Sequence, residues 1–300
     1  MLRYCFAAMV LKFFSAHAVN MHLYRRLGNI LGNVNKKNMA IDAYCERGAL
    51  LLDLYSKYNV IGCGSSLLEL GTGWMHWYSI VTSLFHDAEI TMFDVWDNRQ
   101  LNALKANFKK LQAYYEAQGL RDEPAMKKLA GVCSIASFEQ LYERLNLNYV
   151  INPVGDLGEF KDNQYDCVFS MHVLEHVPRQ TAAGTSPREI YRLLKPGGFS
   201  IHQIGIDDHL AHYDTSVSKK NYLRYSDRNW NLMFENKVQY INRIQQFEWL
   251  DFFQKSGFRL CERIVEQVDL QGLDIAPQYK NRELDDLSCT TLTIVHQKPV

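Results

Sequence analysis

The chain has no Cys-x-x-Cys; its seven cysteines stand apart at 5, 45, 63, 133, 167, 261 and 289. That spacing excludes a zinc ribbon, and the odd number excludes a complete disulfide framework. Free thiols in a reducing cytosol are the expectation. No apolar run is long enough to span a bilayer. Leu2–Val19 comes nearest, and Ala16-His17-Ala18 imitates a signal cleavage site, but Lys12 interrupts the hydrophobic region. Repeats and low-complexity tracts are absent. So is an excess of basic charge: 33 Lys and Arg balance 33 Asp and Glu, and no nucleic-acid partner is expected. One stretch lacks acids altogether. Residues 1–41 carry Arg3, Lys12, Arg25, Arg26, Lys36 and Lys37, leaving the remainder with 27 bases against 33 acids.

What is present is globular. Hydrophobic residues at 47% and charged residues at 22% argue against disorder. The large residues Leu2, Phe6, Met9 or Val10, and Phe13 recur near helical spacing, which predicts an amphipathic helix. It reads either as a lid or dimer-contact helix, or as a basic helix resting on an anionic membrane or a lipid-linked substrate. A second helix is predicted over 40–58, with Ile41, Tyr44, Ala49, Leu52 and Tyr55 as its apolar face.

Beyond Tyr58 the pattern becomes strand–helix alternation. Strands are expected at 66–70, 89–93, 148–151, 167–170 and 199–204, with helices near 74–85, 98–118 and 187–194. In the last of these, Ser186 and Glu189 have capping-box spacing and Pro187 falls at the first helical position. A helix at 244–255 and two β-rich runs, 258–268 and 290–297, close the chain. Such alternation implies a doubly wound α/β fold, with a mostly parallel sheet that binds ligands at the strands' carboxyl ends.

The motifs fall at those ends. Leu67-Leu-Glu-Leu-Gly71-Thr-Gly73 is a buried strand entering a glycine turn, where backbone can pass close to a ligand. A dinucleotide fingerprint needs a third glycine where this chain has His76, which disfavours a nicotinamide-dependent oxidoreductase. Asp94 ends the second strand, where a carboxylate can accept both ribose hydroxyls; Asp156-Leu157 follows the third, where an acid can accept from an adenine amino group. Further on come Tyr165-Asp-Cys-Val-Phe-Ser-Met-His-Val-Leu-Glu-His-Val177 and Leu194-Lys-Pro-Gly-Gly-Phe199.

Those two stretches resemble the class I S-adenosylmethionine-dependent methyltransferases, over roughly residues 60–205. The resemblance implies a Rossmann-like, seven-stranded sheet with an antiparallel closing hairpin. It implies S-adenosylmethionine as cofactor, with Glu69, Gly71, Thr72, Gly73 and Trp74 at the methionine end, Asp94 at the ribose, Asp156 and Leu157 at the adenine, and Met171 or His172 on the methyl-donor side. The chain departs from the family at Met75, where a third glycine is common. Domains are expected at 1–58, a helical cap, and 59–300, the methyltransferase domain with an acceptor-pocket insertion about 206–243.

Methyl transfer from a sulfonium is an in-line displacement, so the protein positions the nucleophile and, for a hydroxyl, removes its proton. His172, Glu175 and His176 stand at i, i+3 and i+4. They resemble the Glu-x-x-Glu-His metal cluster of ubiquinone-pathway and small-RNA methyltransferases, which implies a divalent metal; the alternative is a helix-start and packing role. After the fifth strand come His202, Asp207, Asp208, His209, His212 and Asp214. His209 is the preferred general base, on the ground that Asp207 and Asp208 beside it would raise its proton affinity; a solvated polar loop is the alternative. His202, on the strand, reads as a packed core histidine. Residues 213–249 interleave aromatics with arginines, suiting an acceptor pocket or simple packing against the N-terminal helices. The expectation is a cytoplasmic enzyme, membrane-associated if the N-terminal helix makes peripheral contact, that O-methylates a small molecule or glycan. A homodimer is one reading of its state. The rivals are N- or C-methylation of a metabolite and a non-catalytic binding subunit.

Overall fold

The apolar run Leu67, Leu68 and Leu70 forms a central strand, β1 (Ser66–Leu70), which is buried on both faces. The computed structural model describes residues 1–17, 19–21, 23, 24, 26, 28 and 36–300. Residues 18, 22, 25, 27 and 29–35 of the expected helical cap lie outside the described residues. In chain order the elements are α1 (Leu2–Ser15), α2 (Asp42–Tyr58), β1, α3 (Trp77–Phe85), β2 (Glu89–Asp94), α4 (Leu101–Ala117), α5 (Glu123–Ser134) and α6 (Phe138–Leu145). Then follow β3 (Leu147–Ile151), β4 (Tyr165–Met171), α7 (Arg179–Gly184), α8 (Ser186–Leu193), β5 (Leu194–Gly205), α9 (Asp227–Met233), α10 (Gln246–Lys255), β6 (Arg259–Gln267), α11 (Leu284–Ser288) and β7 (Cys289–Gln297). Seven strands form one mostly parallel sheet in the order β3-β2-β1-β4-β5-β7-β6, closed by the antiparallel pair β6/β7.

The chain forms two compact units. One comprises Leu27–Ser170, Arg192–Phe199 and Val300; the other comprises Met1–Arg26, Met171–Tyr191 and Ser200–Pro299.

In the first unit β1 pairs in parallel with β2 (Leu70 opposite Phe93) and with β4 (Glu69 opposite Phe169), while β2 pairs with β3 (Asp94 opposite Ile151). The carboxyl ends of β1, β2 and β3 are therefore level, and the chain reverses its direction of growth between β1 and β4, where open α/β sheets bind ligands. Behind them α3 is buried nearly all round, with Trp77 against Phe108 (ring centroids 4.8 Å apart) and its indole N–H donating to the Tyr44 carbonyl at 3.0 Å.

In the second unit α1 turns Tyr4, Ala8 and Leu11 into a cluster with Leu210, Tyr222, Trp230 and Phe234. Most of the large apolar residues that gave α1 its periodicity lie on its outer side instead. The aromatics of 213–249 thus largely serve packing: Tyr222, Trp230, Phe234 and Trp249 are core residues. A capping box between Gln245 and Glu248 starts α10, which buries Trp249 and Phe253.

Candidate active site

In the first unit Gly71 and Gly73 adopt φ of +69°, a region costly for any residue with a Cβ. The Gly71 N–H donates to the Phe93 carbonyl at 2.8 Å and the Gly73 N–H to Asp94 Oδ2 at 3.1 Å, so the turn after β1 is tied to the end of β2. Asp94 Oδ1 accepts from Val95 N at 2.7 Å. Glu69 supports the turn from beneath: its carboxylate accepts from the hydroxyls of Thr72 (2.9 Å) and Ser79. Burial pushes the Glu69 carboxyl up to about 7. Trp74 lies under the Lys36 ammonium, 4.9 Å from the ring centre, and its carbonyl accepts from Gln100 N at 3.1 Å. Met75 is buried. Asp156 is exposed and accepts from Gly158 N at 2.9 Å, closing its own loop, and the Leu157 carbonyl accepts from Arg192 at 3.1 Å.

Sequence reasoning used His76 only as a missing glycine. It is fully buried and bridges Thr72 Oγ1 and the Tyr142 hydroxyl at 3.0 Å each; burial and the nearby Arg99 push it down to about 3, so it is neutral. Asn98 Oδ1 and both amide atoms of Gln100 are buried without a hydrogen-bond partner among the described residues. Buried polar atoms left so, in the loop just after Asp94, fit a polar ligand at these strand ends.

The second unit holds the other candidates. His172 sits at φ +57°, with its N–H donating to the Gln203 carbonyl at 2.8 Å. The Gln203 amide donates to Thr293 at 3.1 Å, which turns its oxygen to His172 Nε2, also at 3.1 Å, and leaves Nδ1 at 3.2 Å from Glu175 Oε1. Glu175 is 2% exposed, and neither carboxylate oxygen makes a geometrically sound hydrogen bond among the described residues. Burial works to raise its pKa, but the His172 and His176 imidazoles outweigh that and hold it below the usual range. His176 Nδ1 donates to the Tyr240 carbonyl at 2.7 Å, so in the neutral imidazole Nε2 is the nitrogen with the lone pair. Met171 is buried at the end of β4, and His202 is fully buried on β5, pushed down to about 3 by burial.

His209 differs from expectation. Its proton affinity falls, to about 4, because burial and the neighbouring His176 outweigh the acids. Asp207 Oδ1 is 3.7 Å away, while Asp207 Oδ2 pairs with His212 at 2.6 Å. Asp208 is buried and engaged elsewhere, accepting from the Tyr4 hydroxyl at 2.7 Å and Leu210 N at 3.0 Å; burial pushes its carboxyl up to about 6. Glu175, His176 and His209 bring their ligand atoms within 4.8 Å of one another, so His209 takes the place in the cluster that spacing gave to His172.

Gly205 makes this approach feasible. A Cβ there would stand 2.8 Å from Glu175 Oε1 and 3.0 Å from His172 Nδ1. Gly205→Ala is expected to displace both side chains and to cost about 1–3 kcal/mol of stability, read by denaturant unfolding. Unchanged stability and turnover would show that the pair tolerates being moved.

Residues 124–202 match the model of a methyltransferase domain. A search of curated protein sequences finds no match. Among solved structures, an S-adenosylmethionine-dependent methyltransferase from Methanosarcina mazei is 14% identical, with 81% of this chain and 97% of that one covered and a TM-score of 0.49. Phosphoethanolamine N-methyltransferase 2 of Haemonchus contortus is 15% identical over 83% of this chain and 52% of that one (TM-score 0.45). The [4+2]-cyclase SpnF is 16% identical over 83% and 80% (TM-score 0.45). The match to a methyltransferase-domain model lies within a Rossmann-like sheet of strand order β3-β2-β1-β4-β5-β7-β6.

Proposed function

We propose that the chain transfers the methyl group of S-adenosylmethionine to a hydroxyl oxygen of a small molecule or glycan, with His176 taking the proton and His209 beside it. The cofactor reading rests on the turn Gly71-Thr72-Gly73, bonded to Asp94, with the unpartnered atoms of Asn98 and Gln100 next in sequence. Bound S-adenosylmethionine supplies an activated methyl group on a sulfonium. For a hydroxyl acceptor, the His176 imidazole would take the proton as the methyl group is transferred. The observation that carries the base assignment is the Tyr240 carbonyl on His176 Nδ1, which leaves Nε2 as the proton acceptor. His209, pushed down to about 4 by burial, is neutral, with its ring centre 5.1 Å from that of His176, and Asp208 holds the loop that carries it.

His176→Ala is expected to lower turnover by about 100-fold or more while leaving cofactor affinity unchanged, and His209→Ala to lower it less. The assay is methyl transfer from labelled S-adenosylmethionine to a panel of hydroxyl-bearing metabolites and glycans. Label on nitrogen or carbon would move the reading to its rival, and absence of cofactor binding by calorimetry would leave a binding subunit.

Glu175 favours a second reading. Its buried carboxylate has no sound donor among the described residues, and with His176 Nε2 and a neutral His209 it forms a donor set that fits a divalent cation. Such a cation would acidify the acceptor hydroxyl. Turnover that survives exhaustive chelation, with no metal by elemental analysis, removes this reading and leaves the base.

A further inference from the structure

Helix α1 is apolar on two sides. One carries Tyr4, Ala8 and Leu11 and is buried in its own unit; the other presents Leu2 (89% exposed), Phe6 and Phe13 (65% each), Met9 and Val10. A helix apolar all round is normally covered all round. We propose that this outer face docks on an anionic lipid bilayer, lying in the plane of the interface.

The charge of the segment selects that occupant. Residues 1–26, in the unit that holds α1, carry Arg3, Lys12, Arg25 and Arg26 and no acid, and Arg3 and Arg26 are exposed. Two copies meeting through α1 would bring like charges together, whereas anionic headgroups complement them. The apolar surface also continues beyond the helix. Lys12 Nζ donates to the carbonyls of Asn231 (3.0 Å) and Leu232, which holds exposed Leu232 and Met233 beside α1. Along its other edge an apolar groove is lined by Leu2, Phe6, Val10, Tyr24 and Tyr213. Tyrosines bordering an apolar face suit the headgroup level, where the ring meets acyl chain and the hydroxyl meets water. No helix among the described residues is long and apolar enough to cross a membrane, and α1 at 14 residues is about 21 Å long, so the contact is peripheral.

Methylation chemistry is not needed for this contact, so the test is run on the full chain without cofactor or acceptor. It is co-sedimentation with vesicles of phosphatidylcholine alone and of equal parts phosphatidylcholine and phosphatidylglycerol. Binding is expected to the mixed vesicles, at least about tenfold weaker to the neutral ones, and to fall as salt rises. Phe6→Ser with Phe13→Ser should weaken binding at least about tenfold. Both positions are exposed, and an unchanged melting midpoint would confirm that the variant is folded. Arg3→Glu should weaken binding to the mixed vesicles only. Failure to sediment with either vesicle overturns the proposal. So does a dimer, seen by sedimentation velocity, that the double variant splits while vesicles bind neither form; a second copy then covers the face.

Discussion

Asp94→Ala is expected to weaken S-adenosylhomocysteine and S-adenosylmethionine binding by about 3 kcal/mol, roughly 100-fold in Kd. Two losses combine in that figure. On the proposed assignment a carboxylate acceptor for the ribose hydroxyls is lost, and with it go the anchors on Gly73 N and Val95 N that fix the turn beside it. Asp94→Asn keeps an acceptor oxygen and should lose about half as much. Calorimetry with S-adenosylhomocysteine reads both variants, with melting midpoints showing that they remain folded. Affinity unchanged in the alanine variant would refute the ribose assignment.

Lys220→Ala is expected to cost about 3–5 kcal/mol of stability. Lys220 is fully buried, and its ammonium donates to the carbonyls of Ile206 and Cys289, to Gln245 Oε1 and to the Tyr222 hydroxyl, at 2.8–2.9 Å. It ties Ile206, just after β5 and three residues before His209, to the cap of α10 and the start of β7. Burial pushes it down to about 7, against about 10.4 in an unfolded chain. Between those values the unfolded chain binds the extra proton, so Lys220 contributes more stability as pH rises from 7 towards 10. The cost of the alanine variant should therefore grow from pH 7 to pH 9 in urea unfolding. A pH-independent cost would mean that the ammonium is held charged throughout.

Lys220 illustrates what periodicity does not carry. Strand β1 was legible at its observed bounds and β2 to within a residue, because a continuous apolar run between glycine and acid has few alternatives. The fifth strand is expected only from Phe199, yet Leu194-Lys-Pro-Gly-Gly-Phe199 is the first half of β5. A Cβ at Gly198 would stand 3.0 Å from the Asp166 carbonyl, so the glycine marks close backbone approach rather than a break. Helices α5 and α6 escaped because apolar spacing was the guide. Their signals were caps: Asp122 accepting from Ala125 N with Pro124 in the first turn, and Ser137 accepting from Gln140 N. In α2 the helix and two residues of its expected face, Ile41 and Tyr55, match the structure, but Ala49 is exposed and Leu52 half-buried, while Cys45, Gly48, Leu51 and Leu54 face inward.

The candidate site divides along the same line. Glycine turns and strand-end acids announce themselves in one dimension. The tautomer of His176 does not, because it is set by a carbonyl 64 residues away, and the neutral state of His209 comes from burial that flanking acids cannot reveal.

The hydrogen bond from Tyr4 to Asp208 gives α1 a further meaning. The outer helix and the loop carrying His209 are joined through one buried carboxylate. Detaching α1 would take away the Tyr4 donor but also expose the carboxylate; because burial is the larger influence, its carboxyl would fall back toward the usual range, changing the charge one residue from His209. By linkage, whatever tightens or loosens the seat of α1 must shift the protonation of that loop, and the loop's proton uptake must alter how firmly α1 is held. The helix is thus a thermodynamic lever on the histidine loop.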